Sequence, residues 1–267
     1  MTAKRTAGIG GALLPNRPIT SGVSLVIMAF WIGFALLAWM ISPFESLPGP
    51  GEVFGALGSL WGEHGMSYEL GATIKLILHG LLLTIVISLL LSYATVIAAM
   101  RPVVAAVSKL RFLGLTGLVI PFTLWTGGGY DLKVWLLTFG MTTYFVTSMA
   151  QVVIEIPREQ FDHMRALGAG EVRTLWEVVV LGTADKALDV MRQNVAIGWT
   201  LITMVEGISR SEGGLGAMIL NQNKHFRLAE VYAILIVILV VGLLLDYAIA
   251  LLSRTVCPYA ELERVKR

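Results

Sequence analysis

The sequence contains few charged residues and a single cysteine. Only 14% of its 267 residues are charged, whereas 56% are hydrophobic, and the mean hydropathy is +0.76. This composition lies outside the range of soluble domains and is typical of proteins with several membrane spans. Because Cys257 has no second cysteine to pair with, an internal disulfide is excluded, and no cluster of cysteine and histidine predicts a metal site.

The motifs of several catalytic classes are also missing. No glycine is followed by lysine, which excludes the phosphate-binding loop G-x-x-x-x-G-K-[ST]. Neither the G-x-S-x-G turn of hydrolases nor the H-E-x-x-H pair of zinc proteases occurs. We therefore predict that this chain has no catalytic residues and binds neither ATP nor another cofactor, and that it is not an enzyme.

Long uncharged runs predict about six membrane-spanning helices. A run of about 20 apolar residues is long enough to cross the hydrocarbon core of a bilayer as a helix. The predicted spans cover residues 23–41, 76–99, 112–125, 134–153, 187–205 and 231–252. The predicted fold class is an all-α polytopic membrane protein, with a transmembrane domain at 21–254 between a basic tail at 1–20 and a C-terminal tail at 255–267.

The distribution of lysine and arginine predicts which loops face the cytoplasm. Residues 42–71 contain neither, as expected of an outer segment. The two tails and the loops after the second and fourth spans hold thirteen of these residues, whereas the outer ends of the spans hold five. Cytoplasmic loops carry the excess of positive residues, so both termini are expected in the cytoplasm.

The segment 155–181, between the fourth and fifth spans, is unusually polar for this chain. Its charged residues are Glu155, Arg158, Glu159, Asp162, Arg165, Glu171, Arg173 and Glu177, so we expect it to lie in water. Apolar residues before and after Gly168-Ala169-Gly170 recur at helical spacing, which predicts two short helices joined by a glycine turn. They are Phe161, Met164 and Leu167, followed by Val172, Leu175, Trp176 and Val179.

Two interpretations of this helix–glycine–helix segment remain open at this point. It is either an amphipathic loop that lies on the lipid surface or a docking element for a soluble partner. We call residues 155–181 the elbow.

The predicted fifth span carries polar residues on one face. Trp199, Thr203 and Glu206 fall at i, i+4 and i+7, and such a face could border a central passage. Alternatively, Thr203 bonds to a neighbouring helix and Glu206 lies at the outer membrane interface. Arg192, nearer the start of this span, is expected to pair with Asp189 or to extend toward the membrane surface.

Several short motifs occur in and around the elbow and the predicted spans. They are Met164-Arg165-Ala166-Leu167-Gly168-Ala169 with the stretch from Trp176 to Leu181, Pro121-Phe122-Thr123-Leu124-Trp125, Val205-Glu206-Gly207 and Gly213-Gly214-Leu215-Gly216-Ala217-Met218-Ile219-Leu220. These motifs resemble those of permease subunits of binding-protein-dependent ABC importers. The resemblance covers roughly residues 70–259, and the order of the motifs is similar to that of the nitrate, sulfonate and taurine branch.

The resemblance implies a permease in the bacterial cytoplasmic (inner) membrane that forms the passage for a small anionic solute resembling nitrate, a sulfonate or taurine. The implied partners are a second permease subunit, identical or paralogous, two ATPase subunits that bind the ATP, and a periplasmic or lipid-anchored solute-binding protein. Membrane lipid, but no nucleic acid, is also implied. The resemblance assigns the ATPase contact to Asp162, Arg165, Leu167, Gly168, Ala169 and Gly170.

The elbow departs from the family pattern at two places. Asp162-His163-Met164 stands where the family usually has Glu-Ala-Ala. Val180-Leu181-Gly182 stands where the family closes the motif with Leu-Pro, and the missing proline leaves the second helix free to continue.

A self-sufficient channel or ion-coupled secondary carrier is the main alternative function. Such carriers place charged residues near the membrane midplane and often contain inverted repeats, and the sequence has no clear sign of either. A membrane enzyme or assembly scaffold is a further alternative, which the missing catalytic motifs disfavour.

Overall fold

A computed structural model describes residues 20–42, 47–62, 64–209 and 212–257 of the chain. Within these ranges the chain consists of helices and connecting turns, with no β-strand. The prediction of an all-α polytopic membrane protein is confirmed. Apart from Thr20, the predicted N-terminal tail lies outside the described residues, as does the C-terminal tail after Cys257.

We number the α-helices in chain order. They are α1 (Ser21–Met40), α2 (Pro50–Gly62), α3 (Met66–Ala94), α4 (Arg101–Lys109), α5 (Leu115–Thr126), α6 (Gly129–Ile154), α7 (Arg158–Ala166), α8 (Glu171–Thr174), α9 (Ala184–Ile208), α10 (Leu215–Lys224) and α11 (Leu228–Val256). Short 3₁₀ turns flank α4, and α8 continues as a π-helix over Leu175–Leu181.

Each predicted span coincides with a helix, although the helices differ in how well they suit a membrane. By length and composition α1, α3, α6 and α11 are candidate spans. The segment Ala98–Phe112 and α5 form a pair bent by 113°, which counts as a fifth candidate if the pair is one broken span. The predicted fifth span, α9, is 25 residues long but too polar to qualify on the same criterion.

The helix α6 lies at the centre of the fold, whereas α1 lies at its edge. The most apolar stretch of α6 is 61% buried, compared with 17% for α11 and 0% for α1. Glycines allow two neighbours to approach α6 closely, since Gly80 of α3 lies against Leu137 and Gly198 of α9 lies against Met141. Close packing on a central helix therefore fixes the positions of α3 and α9.

Apolar side chains of the elbow attach it to one end of this bundle. Phe161 of α7 and Leu175 of the π-helix pack against a buried cluster formed by Phe145, Met149, Val153, Val179 and Val190. That cluster joins α6 and α9 to the π-helix. Burial of Phe161 and Leu175 therefore positions the elbow relative to the spans.

The second helix of the elbow does not continue into α9, contrary to the expectation from the missing proline. The π-helix ends at Leu181, and Gly182 and Thr183 form a turn before α9. The Gly182 N–H donates to the carbonyl of Glu177 at 3.0 Å, and a Cβ at Gly182 would overlap the Val178 carbonyl. A close backbone approach that requires glycine thus ends the helix where the family uses proline.

Candidate functional site

The glycine turn of the elbow has the geometry of a Schellman motif. Gly168 has φ +78°, and its N–H donates to the Arg165 carbonyl at 2.9 Å. The N–H of Ala169 donates to the Met164 carbonyl at 3.1 Å. These two bonds satisfy carbonyls at the end of α7, and the left-handed conformation would cost another residue about 1–2 kcal/mol. The predicted helix end at Gly168 therefore depends on glycine.

Arg165 connects the two helices of the elbow. Its Nε lies 3.0 Å from Oε1 of Glu171 and its Nη2 lies 3.1 Å from Oε2, while Nη1 lies 3.5 Å from the Asp162 carboxylate. The hydrogen bonds with Arg165 lower the pKa of Glu171 and raise the pKa of Arg165. Both groups are therefore charged at neutral pH, and the two-point contact fixes the orientation of α8 relative to α7.

The predicted apolar stripes of the elbow divide into a buried part and an exposed part. Phe161 and Met164 are half-buried, whereas Leu167 is 69% exposed. In the second helix Val172 is 83% exposed and Trp176 is 56% exposed. The elbow thus presents separate apolar side chains to the solvent among its charged residues.

The structure places all the predicted ATPase-contact residues on α7 and in the turn that follows it. Asp162 and Arg165 lie on α7, and Leu167 to Gly170 form the connection to α8. Their role in contacting an ATPase remains a prediction.

The three residues predicted to line a passage differ in burial and in hydrogen-bond partners. Trp199 is buried, and its Nε1 donates to the Ile238 carbonyl of α11 at 2.8 Å. Thr203 is half-exposed and bonds within its own helix, to the Thr200 carbonyl at 3.0 Å, rather than across to a neighbour. Glu206 is buried inside the chain. Their passage-lining role remains a prediction.

Glu206 holds the N-terminus of α10. Its Oε2 accepts a hydrogen bond from the Gly216 N–H at 2.7 Å, and its Oε1 accepts one from the Thr73 hydroxyl at 2.7 Å. The Thr73 hydroxyl in turn accepts the Leu215 N–H at 2.9 Å. Both side chains are 1% exposed. A buried carboxylate here satisfies N–H groups that the helix itself leaves unpaired and complements the positive end of the helix dipole.

Two further charged side chains complete this arrangement, which we call the Glu206 cluster. Lys133 of α6 is 2% exposed and donates to the Gly213 carbonyl at 2.8 Å, while Glu69 of α3 accepts the Gly214 N–H. A Cβ at Gly214 would overlap the Glu206 carboxylate. The cluster therefore ties α3, α6 and α9 to the start of α10 through a backbone that must be glycine.

Comparison with protein families identifies the class of protein. Residues 95–256 match the family model described as the binding-protein-dependent transport system inner membrane component. The chain belongs to this family of ABC importer permeases. As a permease it is a non-catalytic membrane subunit of a transport system, and ATP hydrolysis is carried out by a separate ATPase chain. The prediction that the chain is not an enzyme is confirmed.

The fold of the permease is similar to that of a solved importer. The match is a structure described as an inward-facing conformation of the MetNI methionine ABC transporter, at 20% sequence identity and a TM-score of 0.60. The similarity covers 74% of this permease and 98% of the MetNI chain, and at this identity it concerns the fold alone. Comparison with individual curated proteins gives no match.

Arg192 of the permease forms its hydrogen bonds with a residue that the sequence did not suggest. Its Nε and Nη2 each lie 2.6 Å from a carboxylate oxygen of Asp246 on α11, 54 positions away. This contact joins α9 to α11 by a two-point ion pair. Asp189, the partner expected from the sequence, also interacts electrostatically with Arg192.

Most of the Glu206 cluster could not be predicted from the sequence. The motifs around Glu206 and Gly213 are evident in the sequence, whereas the association of Glu69, Thr73 and Lys133 with them is not. One feature of the sequence did point to an internal partner. Lys133 lies in the first turns of α6, and a lysine inside an apolar helix of a membrane protein requires an internal partner. The identity of that partner depends on contacts between distant parts of the chain.

Proposed function

We propose that the permease forms the passage of an ABC importer for a small anionic solute, of the nitrate, sulfonate or taurine kind. It would lie in a bacterial inner membrane with both termini in the cytoplasm. Family membership supports the importer role, and the motifs at residues 164–169 and 213–220 support the branch. A second permease, two ATPases and a solute-binding protein would complete the transporter.

The geometry of the elbow favours the interpretation that it docks to an ATPase over the interpretation that it lies on the lipid surface. Phe161 of α7 packs against a buried cluster and Met164 is half-buried, whereas the exposed remainder of that helix is largely charged. Such a helix offers little apolar surface to a membrane, whereas a surface-lying helix needs a continuous apolar face. A groove on a soluble partner could accept both the charges and the separate apolar side chains Leu167 and Trp176.

Docking at the elbow would act directly on a span. Only Gly182 and Thr183 separate the π-helix from α9, and Val179 and Val190 pack in one cluster across that turn. A displacement of the elbow by ATPase closure would therefore move α9 with it. The binding protein, which is a separate chain, would largely determine the solute.

The proposal is tested by purifying the complex from its native membrane. We expect an ATPase to copurify, together with a second permease or a second copy of this one. In vesicles, uptake of labelled taurine, an alkyl sulfonate or nitrate should require ATP and the binding protein, with a neutral amino acid as the control solute. Accumulation without ATP would favour the ion-coupled carrier instead, and the absence of an ATPase from the complex would contradict the docking role.

A further inference from the structure

Most of the membrane-embedded helices expose only apolar side chains in their central parts. Between residues 81 and 90, the exposed residues of α3 are Leu82, Val86 and Leu90. Between residues 235 and 245, those of α11 are Leu235, Leu239, Val240, Leu243 and Leu244. Hydrocarbon is the natural environment for these surfaces, because apolar side chains require no hydrogen-bonding partner there.

Helices α6 and α9 differ, because each exposes a polar stripe. On α6 the exposed residues are Tyr144, Ser148 and Gln151, at i, i+4 and i+7, and therefore on one face. On α9, Gln193 and Thr200 are exposed at i and i+7, with the small residue Ala196 between them. The polarity of α9, which prevents it from qualifying as an apolar span, is thus partly on its outer surface.

The α6 stripe lies on the side of that helix that turns toward α9. Its residues share a face with Gly140 and Met141. Gly140 approaches Leu201 of α9, and Met141 lies against Gly198. The stripe therefore begins where the two helices touch and continues along α6 beyond the contact.

Lipid is an unfavourable environment for these residues. The side chains of Tyr144, Ser148 and Gln193 form no hydrogen bond to another residue in the part of the chain that the structure describes, and an unpaired polar group in hydrocarbon costs several kcal/mol. In water each of them is fully solvated. The exposed polar stripe therefore indicates a wet surface within the membrane.

Charged residues lie at the edge and at the ends of this surface. Arg192 of α9 and Asp246 of α11 form a two-point ion pair at 2.6 Å, and their side chains are 43% and 40% exposed. Glu155, one turn after Gln151, is exposed, and its Oε1 accepts a hydrogen bond from the Gln151 side chain at 2.8 Å. Lys186, near the start of α9, is also exposed. A solute at this surface would therefore find neutral hydrogen-bonding groups along the stripes and charged groups at their ends.

We propose that Tyr144, Ser148 and Gln151 of α6, with Gln193 and Thr200 of α9, line a water-filled passage that takes small hydrogen-bonding solutes. This surface is separate from Trp199 and Glu206, which are buried within the chain. That this surface is a passage rests on the proposed transport function. That the surface is wet depends neither on the ATPase nor on the identity of the solute.

Thiol accessibility in native membranes tests the proposal. The full chain with Cys257→Ser is the background, to which Ser148→Cys or Thr200→Cys is added. The matched controls at apolar exposed positions are Val86→Cys on α3 and Leu239→Cys on α11. The probes are the anionic sulfonatoethyl and the cationic trimethylammonioethyl methanethiosulfonates, and the amount of each variant in the membrane verifies insertion.

We expect both probes to modify the Ser148→Cys and Thr200→Cys proteins and neither to modify the controls. If the Ser148→Cys and Thr200→Cys proteins do not react, protein or lipid covers these positions. If the controls react equally, the stripe is no more exposed to water than the apolar surfaces. Either result overturns the passage.

The test separates this inference from the proposed function. Reactive stripe thiols in a protein that shows no ATP-driven uptake would contradict the importer while leaving the wet surface intact. ATP-driven uptake with unreactive stripe thiols would support the importer and contradict the wet surface.

Discussion

At the scale of single residues, Gly168 and Gly170 look equivalent in the sequence but differ in conformation. Gly168 has φ +78°, whereas Gly170 has φ −70°, and neither would bring an added Cβ within 4 Å of a neighbour. An alanine at either position would therefore add the same methyl group without a steric clash, and only the backbone conformation differs between the two positions. The substitutions Gly168→Ala and Gly170→Ala thus form a matched comparison.

We expect Gly168→Ala to impair transport and Gly170→Ala to leave it close to wild type. The left-handed conformation at residue 168 costs alanine about 1–2 kcal/mol. Relative to an alternative conformation of the turn, the native turn would then be roughly 5- to 30-fold less populated. Solute taken up per ATP hydrolysed, in vesicles with equal amounts of each variant, measures the effect. The same yield from both variants would contradict a coupling role for the turn.

At the scale of elements, the Glu206 cluster determines where α10 begins. Local signals in the sequence predict helix ends well, as at Gly168, because glycine acts through its own φ angle. They do not predict that Thr73 and Glu206, 133 positions apart, share a hydrogen bond. Elements and their polarity could therefore be predicted from the sequence, whereas the cluster that connects them could not.

We expect Glu206→Gln to destabilise the permease and Glu212→Gln to have little effect. The amide would remove the most buried of the carboxylates around Lys133 and could not accept both observed hydrogen bonds, at a cost of about 3 kcal/mol. Glu212 is exposed, so its loss should cost no more than about 0.5 kcal/mol. Thermal unfolding of the purified variants in detergent measures both, and equal midpoints would contradict the role assigned to the cluster.

At the scale of the whole molecule, apolar runs predicted a helix at each assigned span and the order of these helices, but they predicted neither the additional helices α2, α4 and α10 nor the surroundings of each helix. The run at residues 187–205 was assigned to a span from its length, and the structure places a helix there. Which of its faces is covered depends on α6 and α11, whose contacts with α9 are distant in the sequence. The predicted passage residues therefore include Trp199 and Glu206, which are buried within the chain, and omit Gln193 and Thr200, which are exposed.

The orientation of the whole chain is a prediction that surface labelling can test. In the Cys257→Ser background, Leu167→Cys marks the elbow and Tyr68→Cys marks the start of α3, two positions that are 69% and 74% exposed. A membrane-impermeant maleimide should label the Tyr68→Cys protein only in right-side-out vesicles. It should label the Leu167→Cys protein only in inside-out vesicles, and labelling of that protein from the outer side would contradict the assigned topology.

The attachments of α9 have a mechanical consequence. This helix of 25 residues is about 37 Å long. One end follows the elbow after a two-residue turn, its flank is bonded to α11 through Trp199 and Arg192, and its other end is bonded to the first residues of α10 through Glu206. Because a helix attached at both ends moves as a stiff unit, a small tilt of the elbow would reposition α10 at the other end of α9 without any change in the side chains between them.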